Sequence, residues 1–497
     1  MDIIWNALGN LANIELLVWI IIASIGGILI GSLPGLNATT GVALILPFTI
    51  TMDPISASTI MLTIYCAATF AGAITAILIN TPGTSASATT CLDGYPLAQK
   101  GEAGRALGIA TVSSGIGGII SVICLMIAAP LLADIAYKFS PPEYLTLTIF
   151  AISMLATVGN SSVLKNLLSG LLGILIATIG VDPLTTIDRF TFGVSALYEG
   201  INLVPMMIGI FGISELFIQI SRSSITGNLV KMDKIKLPSY SDYKRIWKTI
   251  LRSTGIGTFI GILPAEGATV ASIVGYNEAK RWSKRPEEFG NGSIEGIAGS
   301  EAANNAATGG SMVPSLALGI PGSPTAAVIV AGLMIHGINP GPNLFIENGE
   351  AVYTIFWSML LANIIFFIIG LAGAKLFARI TFIPTSILWP MVFVFCIVGA
   401  YAVNLSVVDV YVALIFGVLG YLMRLFGFSV IPLTIGLILG GVLELRLGQT
   451  ITMVKGNWWL ILERPISVFF ILATVLVFTM PIIKIYWNKI KLLGKNE

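Results

Sequence analysis

The sequence predicts an all-α polytopic membrane protein, an inverted-repeat architecture with about eleven membrane helices plus two re-entrant or broken helical segments. Three observations predict it: composition, the alternation of charge along the loops, and an internal repeat. Of 497 residues, 55% are apolar and 10% charged, with a mean hydropathy of +0.91. A soluble globular chain carries about a quarter charged residues, so this composition excludes one. The 27 basic and 25 acidic residues leave a net charge of +2, and no basic tail offers a surface for nucleic acid. One histidine, His336, and four scattered cysteines, Cys66, Cys91, Cys124 and Cys396, form no recurring metal-ligand spacing. No cofactor is expected, and no metal other than Na⁺. The cysteines lie in or beside apolar sequence, where a thiol acts as a small hydrophobe, and no disulfide is expected.

The first apolar run, roughly Leu16 to Leu33, lacks a basic n-region and leads into further hydrophobic sequence, so it reads as a membrane helix rather than a cleaved signal peptide. No Lys or Arg precedes Lys100, whereas Asp2 and Glu15 flank that run, which places the amino terminus outside. The stretch 221–252 is the opposite case. It carries Arg222, Lys231, Lys234, Lys236, Lys244, Arg245, Lys248 and Arg252 against Asp233 and Asp242, as a cytoplasmic linker does. It divides the chain into a first membrane repeat, 1–220, and a second, 253–497.

The other loops follow in order. Lys100 and Arg105 mark 92–105 as inside, Lys165 marks 160–166 as inside, and Asp182, Asp188 and Glu199 against Arg189 mark 181–202 as outside. The segment 286–374 has no Lys or Arg, and Lys484, Lys489, Lys491 and Lys495 place the carboxyl terminus in the cytoplasm. Trp458 and Trp459 read as an interfacial anchor before the last span. Two stretches, near 37–91 and 295–335, are rich in Gly, Pro, Ser, Thr and Asn. Irregular backbone at membrane depth survives only beside protein or a water-filled cavity, so these are the candidate re-entrant segments.

A repeat runs through and ahead of these stretches. Gly31, Leu33, Pro34, Ala38 and Thr39 recur 230 positions later as Gly261, Leu263, Pro264, Ala268 and Thr269, with Gly27 matching Gly257. Ala67-Ala68-Thr69 and Pro82-Gly83 recur 239 positions later as Ala306-Ala307-Thr308 and Pro321-Gly322. The first copy starts outside and ends inside, and the second starts inside and ends beside Glu347 and Glu350 without a basic residue, so the copies run in opposite senses. Inverted repeats with broken helices put substrate and ions at the repeat interface of secondary transporters.

The breaks supply suitable chemistry. Asn80-Thr81-Pro82-Gly83-Thr84-Ser85 interrupts one apolar run, and Asn304-Asn305 through Thr308 and Ser311 to Gly322-Ser323-Pro324-Thr325 interrupts the other. Proline frees a carbonyl and glycine admits close approach, while Ser, Thr and Asn oxygens suit Na⁺ and new helix starts suit a carboxylate. The expected substrate-binding residues are Asn37, Thr39, Asn80, Thr81, Gly83, Thr84, Ser85, Asn304, Asn305, Thr308, Gly322, Ser323 and Thr325. The two breaks are expected to face one another around a central cavity. Asn80, Asn305 and Ser311 are the expected ion-coupling oxygens, and Glu266, in the motif that matches Leu36, is the proton candidate. Na⁺ is favoured over H⁺ because the breaks hold many oxygens and few carboxylates. Glu301, Asp93 and Arg105 are expected near loop boundaries, and His336 at an interface.

At these motifs the chain resembles the large membrane subunit of the tripartite tricarboxylate transporters. The resemblance runs over nearly the whole chain and is densest in Ser283-Lys284-Arg285-Pro286-Glu287-Glu288-Phe289-Gly290-Asn291-Gly292, in Glu301 to Gly310, in Gly319-Ile320-Pro321-Gly322-Ser323, and in His336 to Pro342. In the first half Leu33-Pro34-Gly35, Asn80 to Gly83 and Asp93-Gly94-Tyr95-Pro96 carry it. It implies a multi-pass subunit of the bacterial inner membrane. It also implies a small membrane subunit and a periplasmic solute-binding protein as partners, and import of an organic carboxylate, a tri- or dicarboxylate, driven by a Na⁺ or H⁺ gradient without ATP. An intramembrane enzyme is the alternative from another class, but no nucleophile–base pair stands out. A passive channel is the third reading, and an inverted repeat serves alternating access better than a pore.

Overall fold

The computed structural model describes residues 2–33, 35–156, 162–182, 184–221, 237–264, 267–380 and 385–493. The first half runs through α1 (Asp2–Asn10), α2 (Ile14–Gly31), α3 (Ala38–Thr49), α4 (Pro54–Ile79), α5 (Ala88–Leu97) and α6 (Ala103–Ala136). Then come α7 (Pro141–Leu155), α8 (Val163–Ala177), a two-residue antiparallel ladder of β1 (Gly180–Val181) and β2 (Asp188–Arg189), α9 (Leu203–Met207) and α10 (Ser214–Ser221). The second half holds α11 (Tyr240–Ile262), α12 (Gly267–Trp282), α13 (Ile294–Leu318), α14 (Pro324–Ile335), α15 (Leu344–Glu347), α16 (Gly349–Ile380), α17 (Thr385–Asn404), α18 (Val407–Leu425), α19 (Val430–Val454) and α20 (Pro465–Leu493). Among the described residues, 8 helices are long and apolar enough to cross a membrane. The chain is a polytopic all-α membrane protein. α11 and α13 match those spans in length, at 23 and 25 residues, and carry more polar sequence.

The chain forms two compact units. One comprises 1–136 and 202–422, the other 137–201 and 423–497, so each draws on both halves of the sequence. Within the second unit α19 packs on α7 and α8, and α20 on α7. Arg464 Nη1 reaches Glu143 Oε1 at 2.9 Å there, and Arg189 Nη1 reaches Glu444 Oε1 at 2.5 Å.

The first unit is built around α4 and α13. Nearly every residue of α4 and every residue of α13 from Ile294 to Ala317 is buried. α2, α3, α5 and α16 cover α4, and α4, α5, α6, α11 and α12 cover α13. Local chemistry sets the helix ends. Asp53 Oδ1 accepts from Ile55 N (3.0 Å) and Ser56 N (2.9 Å), with Pro54 in the first turn of α4. Ser293 Oγ accepts from Gly296 N at 3.2 Å to start α13.

The second broken segment is shorter than its composition suggests. Asn304 to Leu318 is uninterrupted helix, and the chain leaves helical geometry only at Gly319. Tertiary packing explains this. Cβ atoms added to Gly309 and Gly310 would lie 2.5 Å from Ser121 Oγ and 2.3 Å from Thr258 O, so these glycines let α6 and α11 close onto α13. Asn304 and Asn305 keep helical backbone by donating their amides to Thr69 O (3.5 Å) and Glu301 O (3.3 Å).

Candidate functional site

Two chain breaks within the first unit are built alike. α4 ends on Asn80, in left-handed geometry (φ 55°), and α13 ends on Gly319, also left-handed (φ 70°). These positions are matched by the 239-residue spacing, and a Pro-Gly pair follows each. A Cβ on Gly83 would meet Gly31 O at 2.4 Å and Gly72 Cα at 2.8 Å, and one on Gly322 would meet Gly261 O and Ser311 Cα, both at 2.8 Å. Gly31 and Gly261 are matched positions, as are Gly72 and Ser311. The contact before each break is matched too: Gly31 abuts Ala68 on α4, and Gly261 abuts Ala307 on α13. Only glycine lets the backbones approach this closely.

The two halves then cross. Thr39, in the first turn of α3, shares a 2.8 Å hydroxyl contact with Thr325, in the first turn of α14. Its matched residue Thr269, near the start of α12, shares a 2.8 Å hydroxyl contact with Ser85, just before α5. Ser272 Oγ also donates to Ala86 O at 2.9 Å. Each half therefore brings the start of its helix after the first motif against the start of the helix after the other half's break. Tyr65 OH on α4 ties the second break further, 2.9 Å from Ser311 Oγ and 3.1 Å from Ser323 Oγ.

The expected residues fall into three settings. Asn80 and Ser85 are exposed, Thr81 and Thr84 half-buried, and Thr84 Oγ1 lies 2.8 Å from Ser87 Oγ. Asn37, Ser323 and their helices form the crossing, where Asn37 Oδ1 accepts from Thr40 N (3.0 Å) and Ser323 Oγ from Ala326 N (3.1 Å). Asn304, Asn305, Thr308 and Ser311 are buried within α13. There Thr308 Oγ1 donates to Asn305 O (2.7 Å) and Ser311 Oγ to Thr308 O (3.0 Å), while Asn304 Oδ1 and Asn305 Oδ1 have no hydrogen-bond partner among the described residues. Glu266 lies outside the described residues. Among the described residues, the hydroxyl contacts that leave the breaks for the other half, Ser85 with Thr269 and Thr325 with Thr39, lead to the helix starts after that half's first motif.

Sequence reasoning missed Tyr65 and passed over Thr269. Thr269 had a signal, since it matches Thr39 in the repeat. Tyr65 had only its phenol in a largely apolar run. Asp93 and Glu301 are not loop-boundary groups. Asp93 is fully buried, and its Oδ1 accepts from Gly290 N (2.8 Å), Gly292 N (2.9 Å) and Ser293 N (2.8 Å), so it fastens α5 to the turn before α13. Glu301 is fully buried about two turns into α13. Arg105 is the exception: half-buried, it binds Asp242 at the start of α11. His336 closes α14, its Nε2 3.1 Å from Thr49 Oγ1.

Chemically, the crossing gathers hydroxyls, amides and helix starts with no basic side chain among the residues named. Such starts present unpaired backbone N–H groups and a partial positive charge, a setting that accepts an anion without a fixed counter-cation.

Two known proteins resemble this chain, one of them over most of its length. It is 38% identical over 477 residues, 95% of either chain, to an uncharacterised 52.8 kDa protein of the TAR-I ttuC′ 3′ region of Agrobacterium vitis. It is 36% identical over 211 residues, 42% of this chain and 87% of the other, to an uncharacterised protein of the TAR-II ttuC′ 3′ region of the same organism. No solved structure matches it. The profile of the Tripartite tricarboxylate transporter TctA family matches residues 17–435, a span that takes in α2 through the start of α19 and so both breaks and their crossing. With a polytopic helical fold and a matched pair of broken helices inside that span, the chain belongs to the tripartite tricarboxylate transporter TctA family, a family of membrane transporter components.

Proposed function

We propose that this chain imports an organic carboxylate, a tri- or dicarboxylate, across the bacterial inner membrane. A periplasmic solute-binding protein delivers the substrate, a small membrane subunit accompanies the chain, and a Na⁺ or H⁺ gradient drives alternating access between two inverted copies. The observation that carries this reading is the crossing of Thr39 with Thr325 and of Ser85 with Thr269. It sets helix starts from both halves side by side, where a carboxylate can take backbone N–H and hydroxyl donors from each. Relative movement of the halves would then dismantle the same site that binds the substrate.

The test is counterflow in proteoliposomes carrying the chain with its small membrane subunit and binding protein, using labelled citrate and a panel of di- and tricarboxylates. Exchange of label is expected for at least one of them. Thr325→Val should lower it about tenfold, the worth of one hydrogen bond to an anion. Absence of exchange across the whole panel rejects carboxylate transport.

A further inference from the structure

The buried carboxylate of Glu301 belongs to neither break. Thr90, in the first turn of α5, donates its hydroxyl to Glu301 Oε1, and Ser114 on α6 donates to Oε2 at 2.9 Å. Among the described residues no Lys, Arg or His forms an ion pair with it. A carboxylate buried without a counter-charge is costly, so this group needs either a proton or a bound cation.

The hydroxyls around it distinguish these. Thr90 Oγ1 lies 3.2 Å from Ser300 Oγ, and Ser300 Oγ lies 3.1 Å from the carbonyl oxygen of Ile297. When Glu301 carries a proton, its O–H donates to Thr90, Thr90 donates to Ser300, Ser300 donates to Ile297 O, and Ser114 still donates to Oε2. Every hydroxyl then has an acceptor. When the proton leaves, Ser300 turns to Thr90 and Thr90 turns to Glu301, so the carboxylate keeps two donors. Only O–H rotations separate the two arrangements. A Na⁺ ion at this point would need the same oxygens as ligands, with those hydrogens turned away.

We propose that Glu301 is a reversible proton-binding site and that its proton is the cation coupled to transport, the second clause resting on the transport reading above. On the side of higher proton activity a hydronium transfers its proton to the Glu301 carboxylate, one O–H bond of the hydronium breaking to leave water as the O–H bond at Glu301 forms and the carboxylate charge is lost. On the other side that O–H bond breaks as the proton passes to a water, leaving hydronium and the carboxylate. Most of the titratable groups named on neighbouring helices have partners of their own. Asp93 on α5 holds the turn before α13, Arg105 on α6 pairs with Asp242 on α11, and Arg245 on α11 pairs with Glu288 and Glu295. Tyr276 on α12 stacks edge-on against Phe289, and Tyr65 on α4 bonds Ser311 and Ser323. Cys66 on α4 is met by Asn363 Nδ2 at 3.6 Å, and Cys91 on α5 interacts electrostatically with Glu301.

Infrared difference spectra of the purified chain in nanodiscs, recorded across a pH titration, test the first clause. A protonated-carboxyl band that appears on acidification, disappears in Glu301→Gln and changes frequency in Thr90→Val is the expected result. Bands unaltered in both variants overturn the proposal, and size-exclusion profiles matching the parent show that the variants are folded. For the second clause, labelled citrate is the probe in the reconstituted complex. Glu301→Gln should abolish accumulation driven by a pH gradient while counterflow stays within twofold of the parent. Accumulation driven by Na⁺ alone and unchanged in Glu301→Gln overturns the coupling clause. A parent that moves no carboxylate rejects the transport reading and with it the coupling clause, while the infrared titration still decides whether Glu301 binds the proton.

Discussion

Charges in this chain are few, and the ones that persist near helix starts hold elements together. Asp242, in the first turn of α11, receives Arg105 Nη2 at 2.5 Å and Arg105 Nε at 3.2 Å, and Ser239 N at 2.9 Å. Burial pushes its carboxyl up, but the bonds from Arg105 and Ser239 outweigh this and hold it below the usual carboxylate range. A carboxylate depressed on folding adds stability that is present above its unfolded pKa of about 3.9 and lost as pH falls through the lower folded value. Acid unfolding followed by tryptophan fluorescence should therefore show a midpoint set partly by this pair. Asp242→Asn should remove that contribution, lowering stability at neutral pH by about 1–2 kcal/mol and flattening its dependence on pH below 4. A variant whose acid profile overlays the parent would show that the pair adds nothing.

Helix ends make a sharper demand than helix interiors here. Asn80 and Gly319 hold matched left-handed positions, one carrying a side chain and one not. Asn tolerates that geometry, glycine takes it freely, and a β-branched residue is strained there by about 1–2 kcal/mol. Asn80→Gly and Gly319→Asn should both leave thermal unfolding in detergent within about 2 °C of the parent, whereas Asn80→Val and Gly319→Val should lower it by about 2–4 °C. Equal tolerance of Val at either position would mean that the caps do not constrain the breaks. This is also where the sequence was most legible. Pro-Gly pairs and the motifs around Gly31 and Gly261 located the matched breaks, because backbone geometry restricts residue choice there. The interior of α13 was not legible. Asn304-Asn305 and Gly309-Gly310 have the composition of a break, and only the helices packed around them make a continuous helix the cheaper solution. Nor could local pattern reveal that Thr39 meets Thr325, since a pairing between halves leaves no periodic trace in either half.

At the scale of the molecule, charge makes a definite prediction about the sense in which the two halves cross the membrane. The first half begins beside Asp2 and Glu15 without a basic residue, the linker 221–252 is strongly basic, and the second half reaches Glu347 and Glu350 with no Lys or Arg from 286 to 374. Under the positive-inside rule the two copies enter from opposite faces. The matched contacts of Gly31 with Ala68 and Gly261 with Ala307 fit two copies of one design, and the crossing at Thr39 and Thr269 fits their interlocking. In intact cells carrying a variant with Cys66, Cys91, Cys124 and Cys396 replaced by alanine, a single cysteine at Asp2 or at Glu347 should react with a membrane-impermeant maleimide added outside. A cysteine at Lys244 should react only after the inner face is opened. If positions 2 and 244 label from the same face, the first half makes an even number of crossings, the halves share one orientation, and the inverted arrangement is wrong. If 2 and 347 label outside and 244 inside, each half crosses an odd number of times between those points. The copies are then antiparallel, as alternating access through a shared central site requires.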